Sequence, residues 1–258
     1  MVDRFAVKMK DNIKLEIQKR INALSLIEGY EFFGAFLYGS QNYNLDTENS
    51  DVDLVILYVP TAEKLVNLAP PLSKEKTLAQ TNEKNVLKDI RLFIKELLKG
   101  SPNALEILCT DNFLINSKYL DLWEGLKDYS FGFFQRKIDG FLKAELGIMY
   151  NILKTAKTGT FSPKSAKRIW HSAYIICNAL TFKDYNSYVY NNLRENLFKS
   201  LEDFNPKKHL ESSEILYYKT KEEVEKFLKS WEYPKGRSKL LEAKAYSFLK
   251  EVIFYDEK

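Results

Sequence analysis

The chain has 258 residues, 45% of them hydrophobic and 29% charged, with a formal net charge of +4. That is apolar material enough for one large or two modest cores. Its apolar runs are short and broken by polar residues, which excludes a transmembrane helix, and Cys109 and Cys177, the only cysteines, make neither a disulfide framework nor a metal motif. Met1-Val2-Asp3-Arg4 lacks the apolar core of a signal peptide. The expectation is a cytoplasmic protein that does not enter membranes, with both thiols buried and free.

In chain order, Ile13, Ile17, Ile21 and Leu24 recur at helical spacing between Asp11, a good N-cap, and Glu28. Glu31–Tyr38 reads as a first strand and Asp51–Val59 as a second. Pro60-Thr61 leads into a short helix through Leu65 and Leu68. Pro70-Pro71 and the polar residues 73–83 read as a loop. Residues 85–90 suit a third strand, followed by a helix through Phe93, Ile94, Leu97 and Leu98 that Gly100 and Pro102 stop. From about Phe131 the alternation fades and helical periods take over. One helix carries Ile138, Leu142, Glu145 and Met149, and a second runs Pro163–Leu180 with Ser162 as its cap. Two more fit Glu211–Trp231 and Ser238–Phe254. This pattern predicts an α+β protein: a small mixed-sheet domain over residues 1–125, then an all-helical domain over 126–258.

Chemistry concentrates in residues 36–60, FLYGSQNYNLDTENSDVDLVILYVP. Gly39-Ser40 follows the first strand. Glycine lets backbone approach a phosphate closely, neighbouring N–H groups can form an anion nest, and the Ser40 hydroxyl can add a contact. Asp51 and Asp53 open the second strand, where residues i and i+2 share a face. Two carboxylates so placed repel unless a cation lies between them. A Gly-Ser turn beside Asp-x-Asp is what metal-dependent nucleotidyl transfer requires, with two Mg²⁺ ions about 3.5–4 Å apart clamping the attacking and leaving oxygens.

Gly39-Ser40 with Ser50-Asp51-x-Asp53 resembles the signature of the DNA polymerase beta-type nucleotidyltransferase superfamily. The wording of residues 39–51 and of Phe93–Leu108, FIKELLKGSPNALEIL, is similar to one bacterial and phage branch, the RNA repair pathway DNA polymerase beta family, with Ser101 where that branch usually has Asn. The resemblance is strong over the first half and loose beyond it, around Lys167 and His171. It implies a nucleotidyltransferase domain, a nucleoside triphosphate donor, Mg²⁺, and an RNA or tRNA 3′ end as acceptor. A protein hydroxyl or a small molecule such as an aminoglycoside is an alternative acceptor. A nucleotide- or RNA-binding protein without turnover is an alternative of another class.

A two-metal site usually takes a third carboxylate from a neighbouring strand. Asp89 is the first choice, because Val86–Ile90 is strand-like and the family places an acid before its apolar helix. An ordinary N-cap for that helix is the competing role. Glu83 and Glu106 are weaker rivals. Lys164, Lys167 and His171 share a helix face, with Arg168 adjacent. The superfamily's helical domains supply basic residues to the triphosphate, which makes Lys167 the candidate there. Residues 1–128 carry 16 Lys+Arg against 19 Asp+Glu, and residues 129–258 carry 23 against 16. A basic half beside a carboxylate-bearing half suits a polyanion held between them, although a solvated lysine-rich surface accounts equally for the count. Tyr185, Tyr188 and Tyr190 fit packing between helices better than stacking on bases.

Overall fold

The computed structural model describes residues 5–8, 15, 17–21, 27–39, 52–77, 84–180, 201, 203–232 and 235–255. Its sheet grows from the two runs richest in aromatic and β-branched residues. β2 (Tyr30–Tyr38) pairs antiparallel with β3 (Asp53–Pro60). β5 (Lys84–Asp89) lies parallel to β3, and β4 (Ser73–Thr77) closes that edge antiparallel to β5. On the other side β6 (Phe113–Asn116) pairs with β2, and β1 (Phe5–Lys8) with β6. The sheet is six-stranded and mixed, in the order β1-β6-β2-β3-β5-β4.

Period-2 alternation divides the side chains between two cores. Ala35, Leu37, Leu54, Ile56, Tyr58 and Leu87 pack on Ile17 and Ile21 of the N-terminal helical residues. The opposite face presents Phe36, whose ring centroid lies 4.7 Å from that of Trp123. Phe93 joins that cluster at 5.7 Å from Trp123.

The helices are α1 (Ala62–Val66), α2 (Ile90–Lys99), α3 (Pro102–Cys109), α4 (Leu120–Lys127), α5 (Ser130–Arg136), α6 (Ile138–Ala156), α7 (Pro163–Leu180), α8 (Pro206–Ser230) and α9 (Lys235–Ile253). The expected cap of α7 is present, Ser162 Oγ accepting from the Ser165 N–H at 3.1 Å. The chain divides into two compact units. The first holds residues 1–99, 103–133 and 235–258, and the second holds 100–102 and 134–234. Among its described residues the second unit has helices and no strand, with α6, α7 and α8 packed on one another.

Three sequence expectations change. The boundary near residue 125 is not a single cut, because α9 returns to the first unit and packs on α2 and α4, where Phe248 meets Phe33 at 6.0 Å. Residues 73–77 form an edge strand rather than a loop; an exposed edge needs no apolar alternation, so Ser73-Lys74-Glu75 hides the strand. Cys177 is exposed, while Cys109 is buried as expected. Among the described residues no helix is long and apolar enough to cross a membrane.

Candidate active site

The site is built where β2 ends and β3 begins. The antiparallel register sets Tyr38 opposite Asp53, so the turn after β2 lies against the carboxylate that opens β3. Gly39 has φ +74°, the left-handed region that glycine enters without penalty. A Cβ added at Gly39 would lie 3.0 Å from Asp53 Oδ2, so glycine here meets both a backbone and a space requirement. Ser40 and Asp51 lie outside the described residues, as do Glu83 and the tyrosines at 185, 188 and 190.

A second carboxylate touches Gly39. Its N–H donates to Glu106 Oε1 on α3 at 2.9 Å, and Glu106 is 8% exposed. Glu75 on β4 pairs with Val86, which pairs with Val55, so Glu75 shares the sheet face of Asp53. The Tyr38 phenol registers this surrounding negative charge: burial first, then Asp53, Glu106 and Glu75, push it up to about 12. From the other face, Arg20 anchors the approach to Asp53. Its guanidinium is 2% exposed and donates to the Val52 carbonyl at 2.7 Å.

Asp89 is elsewhere. It lies opposite Tyr58, five residues along β3 from Asp53, which is about 16 Å at strand rise. Five is odd, so its side chain also leaves the opposite face of the sheet. Its carboxylate is 0% exposed, caps α2 through the Arg91 N–H at 2.8 Å, and binds the Arg91 guanidinium with Nη2 at 2.7 Å from Oδ2. That bond is the chief reason the Arg91 pKa is raised. The first-choice third carboxylate thus acts as a helix cap and ion-pair partner, the competing role that its position before α2 also suggested.

Lys167 belongs to the second unit, half-buried on α7. On the same helix His171 is buried, and Arg168 Nη1 lies 2.9 Å from its Nδ1. Burial, then the charges of Arg168 and Lys167, push the His171 pKa well down, so the ring stays neutral. Glu145 on α6 is 3.9 Å from Arg168 Nη2, and burial raises its pKa despite that cation.

Sequence reasoning missed Tyr38, Glu75 and Arg20. Tyr38 had a signal, since it immediately precedes the turn. Glu75 had none without the edge strand, and Arg20 had none among the apolar positions that mark its helix. The donors gathered at Gly39 are hard carboxylate oxygens, the type that suits Mg²⁺. Among the described residues no three His, Cys, Asp or Glu side chains converge as a metal site would require.

No family model and no curated protein matches this chain. A solved structure described as a nucleotidyltransferase-like protein from Exiguobacterium sibiricum is similar to it at 10% identity, over 95% of this chain and 91% of the other, with a TM-score of 0.32. A likeness at that level carries no argument about activity.

Proposed function

We propose that the protein is a Mg²⁺-dependent nucleotidyltransferase that moves a nucleoside monophosphate from a nucleoside triphosphate to a hydroxyl, with an RNA or tRNA 3′ end as acceptor. The observation that carries this reading is the contact between the end of β2 and the start of β3, where Asp53 Oδ2 lies 3.0 Å from the place a Gly39 Cβ would take. A phosphate-approaching turn and a metal-binding carboxylate are useful to one reaction only if they touch. The β2–β3 register, which sets Tyr38 opposite Asp53, supports the reading by bringing the two together.

In this reading Asp51 and Asp53 hold the cation, which neutralises the triphosphate and acts as a Lewis acid when bound. The acceptor oxygen forms a bond to the α-phosphorus, the bond from that phosphorus to the β-bridging oxygen breaks, and pyrophosphate leaves. The hydroxyl proton passes to a carboxylate or to water. Gly39 admits the phosphates and Ser40 adds a hydroxyl contact; Lys167 is the basic residue that the family resemblance assigns to the triphosphate. That unit carries 17 Lys+Arg against 12 Asp+Glu, an excess that favours a polyanionic acceptor.

The test is transfer of label from each α-labelled nucleoside triphosphate, with Mg²⁺, into total RNA or a cell lysate. Label in RNA, matched by pyrophosphate release, supports the reading. RNA affinity should then fall with salt at a log–log slope of about −0.7 per phosphate neutralised on a single strand. Label on protein or a small molecule keeps the chemistry and changes the acceptor. Nucleotide binding without pyrophosphate release overturns the enzyme.

A further inference from the structure

The cradle expected from a Gly-Ser turn offers its backbone N–H groups to phosphate, but the Gly39 N–H already has an acceptor. Glu106 Oε1 takes it at 2.9 Å, from a side chain 8% exposed on α3. A hydrogen bond from backbone to carboxylate is charge-assisted and about twice as strong as a neutral one. An incoming phosphate would therefore compete with a covalently tethered anion for that N–H. The same glycine has Asp53 Oδ2 against the place of its missing Cβ, so a single residue is gripped by one carboxylate and shapes the position of the other.

We infer that Glu106 is the positioning residue of the site: it holds the Gly39 N–H and so fixes Gly39 at the end of β2, against Asp53. This rests on the nucleotidyl-transfer reading and assigns Glu106 a role other than metal ligation. Its interaction with Gly39 needs an acceptor oxygen in the right place, not a negative charge. The two roles therefore part under an amide substitution.

The experiment compares Glu106→Ala and Glu106→Gln with the wild type, in Mg²⁺-dependent pyrophosphate release and in titration with Mg-ATP, with melting temperatures alongside. Positioning predicts that Glu106→Ala lowers kcat/KM by about 100-fold, the scale of a misplacement of about 1 Å. It predicts that Glu106→Gln, whose amide oxygen can accept the same N–H, recovers to within about tenfold of wild type. A Gln variant as inactive as the Ala variant overturns the inference, because the charge itself is then required, as for a metal ligand. An Ala variant as active as wild type overturns it too. If Glu106→Ala does not fold, the Gln variant alone decides by the same criterion. If the wild type releases no pyrophosphate, nucleotidyl transfer fails as a reading, and Glu106 is judged on Mg-ATP affinity. Weakening by Ala with recovery by Gln supports positioning; equal affinities, or none in the wild type, overturn it.

Discussion

The β3–β5 strand pair has an aspartate near each of its ends, and the two are held in opposite ways. Asp89, at the far end, is fully buried and saturated: a backbone N–H and a guanidinium satisfy its oxygens. Asp53, at the near end, shares with Glu106 and Glu75 the surroundings of the Tyr38 phenol, whose pKa all three raise. A buried carboxylate with an arginine in hand stabilises a fold. Carboxylates that share one neighbourhood also raise the pKa of any acid among them, as they do for Tyr38. The comparison separates the two acids by their electrical surroundings, which residue type and strand position alone do not do.

The strongest way to break this contrast is Asp53→Asn. Pyrophosphate release should fall on the order of 10³-fold or more, while the melting temperature moves far less than it does on loss of Asp89. A turnover close to wild type would remove Asp53 from the site. Asp89→Ala should do the reverse. Breaking the buried pair should cost about 3 kcal/mol in urea unfolding, at the low end for such pairs because the Arg91 side chain keeps 22% exposure. Turnover per folded molecule should stay within about threefold of wild type, since the two positions lie on opposite faces and far enough apart to act independently. Loss of turnover without loss of stability would return Asp89 to the catalytic set.

Gly39→Ala sharpens the near end. The left-handed backbone should cost about 1–2 kcal/mol, and the added methyl, 3.0 Å from Asp53 Oδ2, must displace the carboxylate. Activity should drop about tenfold or more beyond what the lost stability explains. The smallest effect is alkaline. Tyr38 titrates near 12 in the folded protein against an ordinary 10.0. A raised pKa means its contribution to stability is complete below pH 10 and lost as pH rises through about 12. Tyr38→Phe should flatten that decline in chemical-denaturation midpoints, leaving a residual slope from the buried Tyr58 phenol, which is also raised.

Much of this was legible in the sequence, for physical reasons that differ by residue. β2, β3 and α7 announce themselves through dense alternation or a capped helical period, and their observed bounds lie within two residues of the reading. Gly39 and Asp53 were legible because glycine after a strand and Asp-x-Asp before one each narrow the chemistry. β1 and β6 were missed because four-residue strands carry too few positions to show a period. Glu106 was ranked below Asp89 because sequence proximity to a strand says nothing about sheet face, and only the β3–β5 register assigns that. The return of α9 was invisible for a related reason: an amphipathic helix advertises a buried stripe but not the partner that covers it.

That return has a consequence for synthesis. The first unit is written in separate stretches of the gene, and its aromatic core around Trp123 and Phe33 closes only when Phe248 is added. A ribosome finishes the helical unit before the sheet unit has all its parts. The sheet must therefore wait, with part of its apolar surface open, while about a hundred residues of another unit are made and folded. Stalled or truncated chains ending before residue 235 should be the aggregation-prone ones, and the C-terminal helix the natural place for translation to commit the sheet unit to its shape.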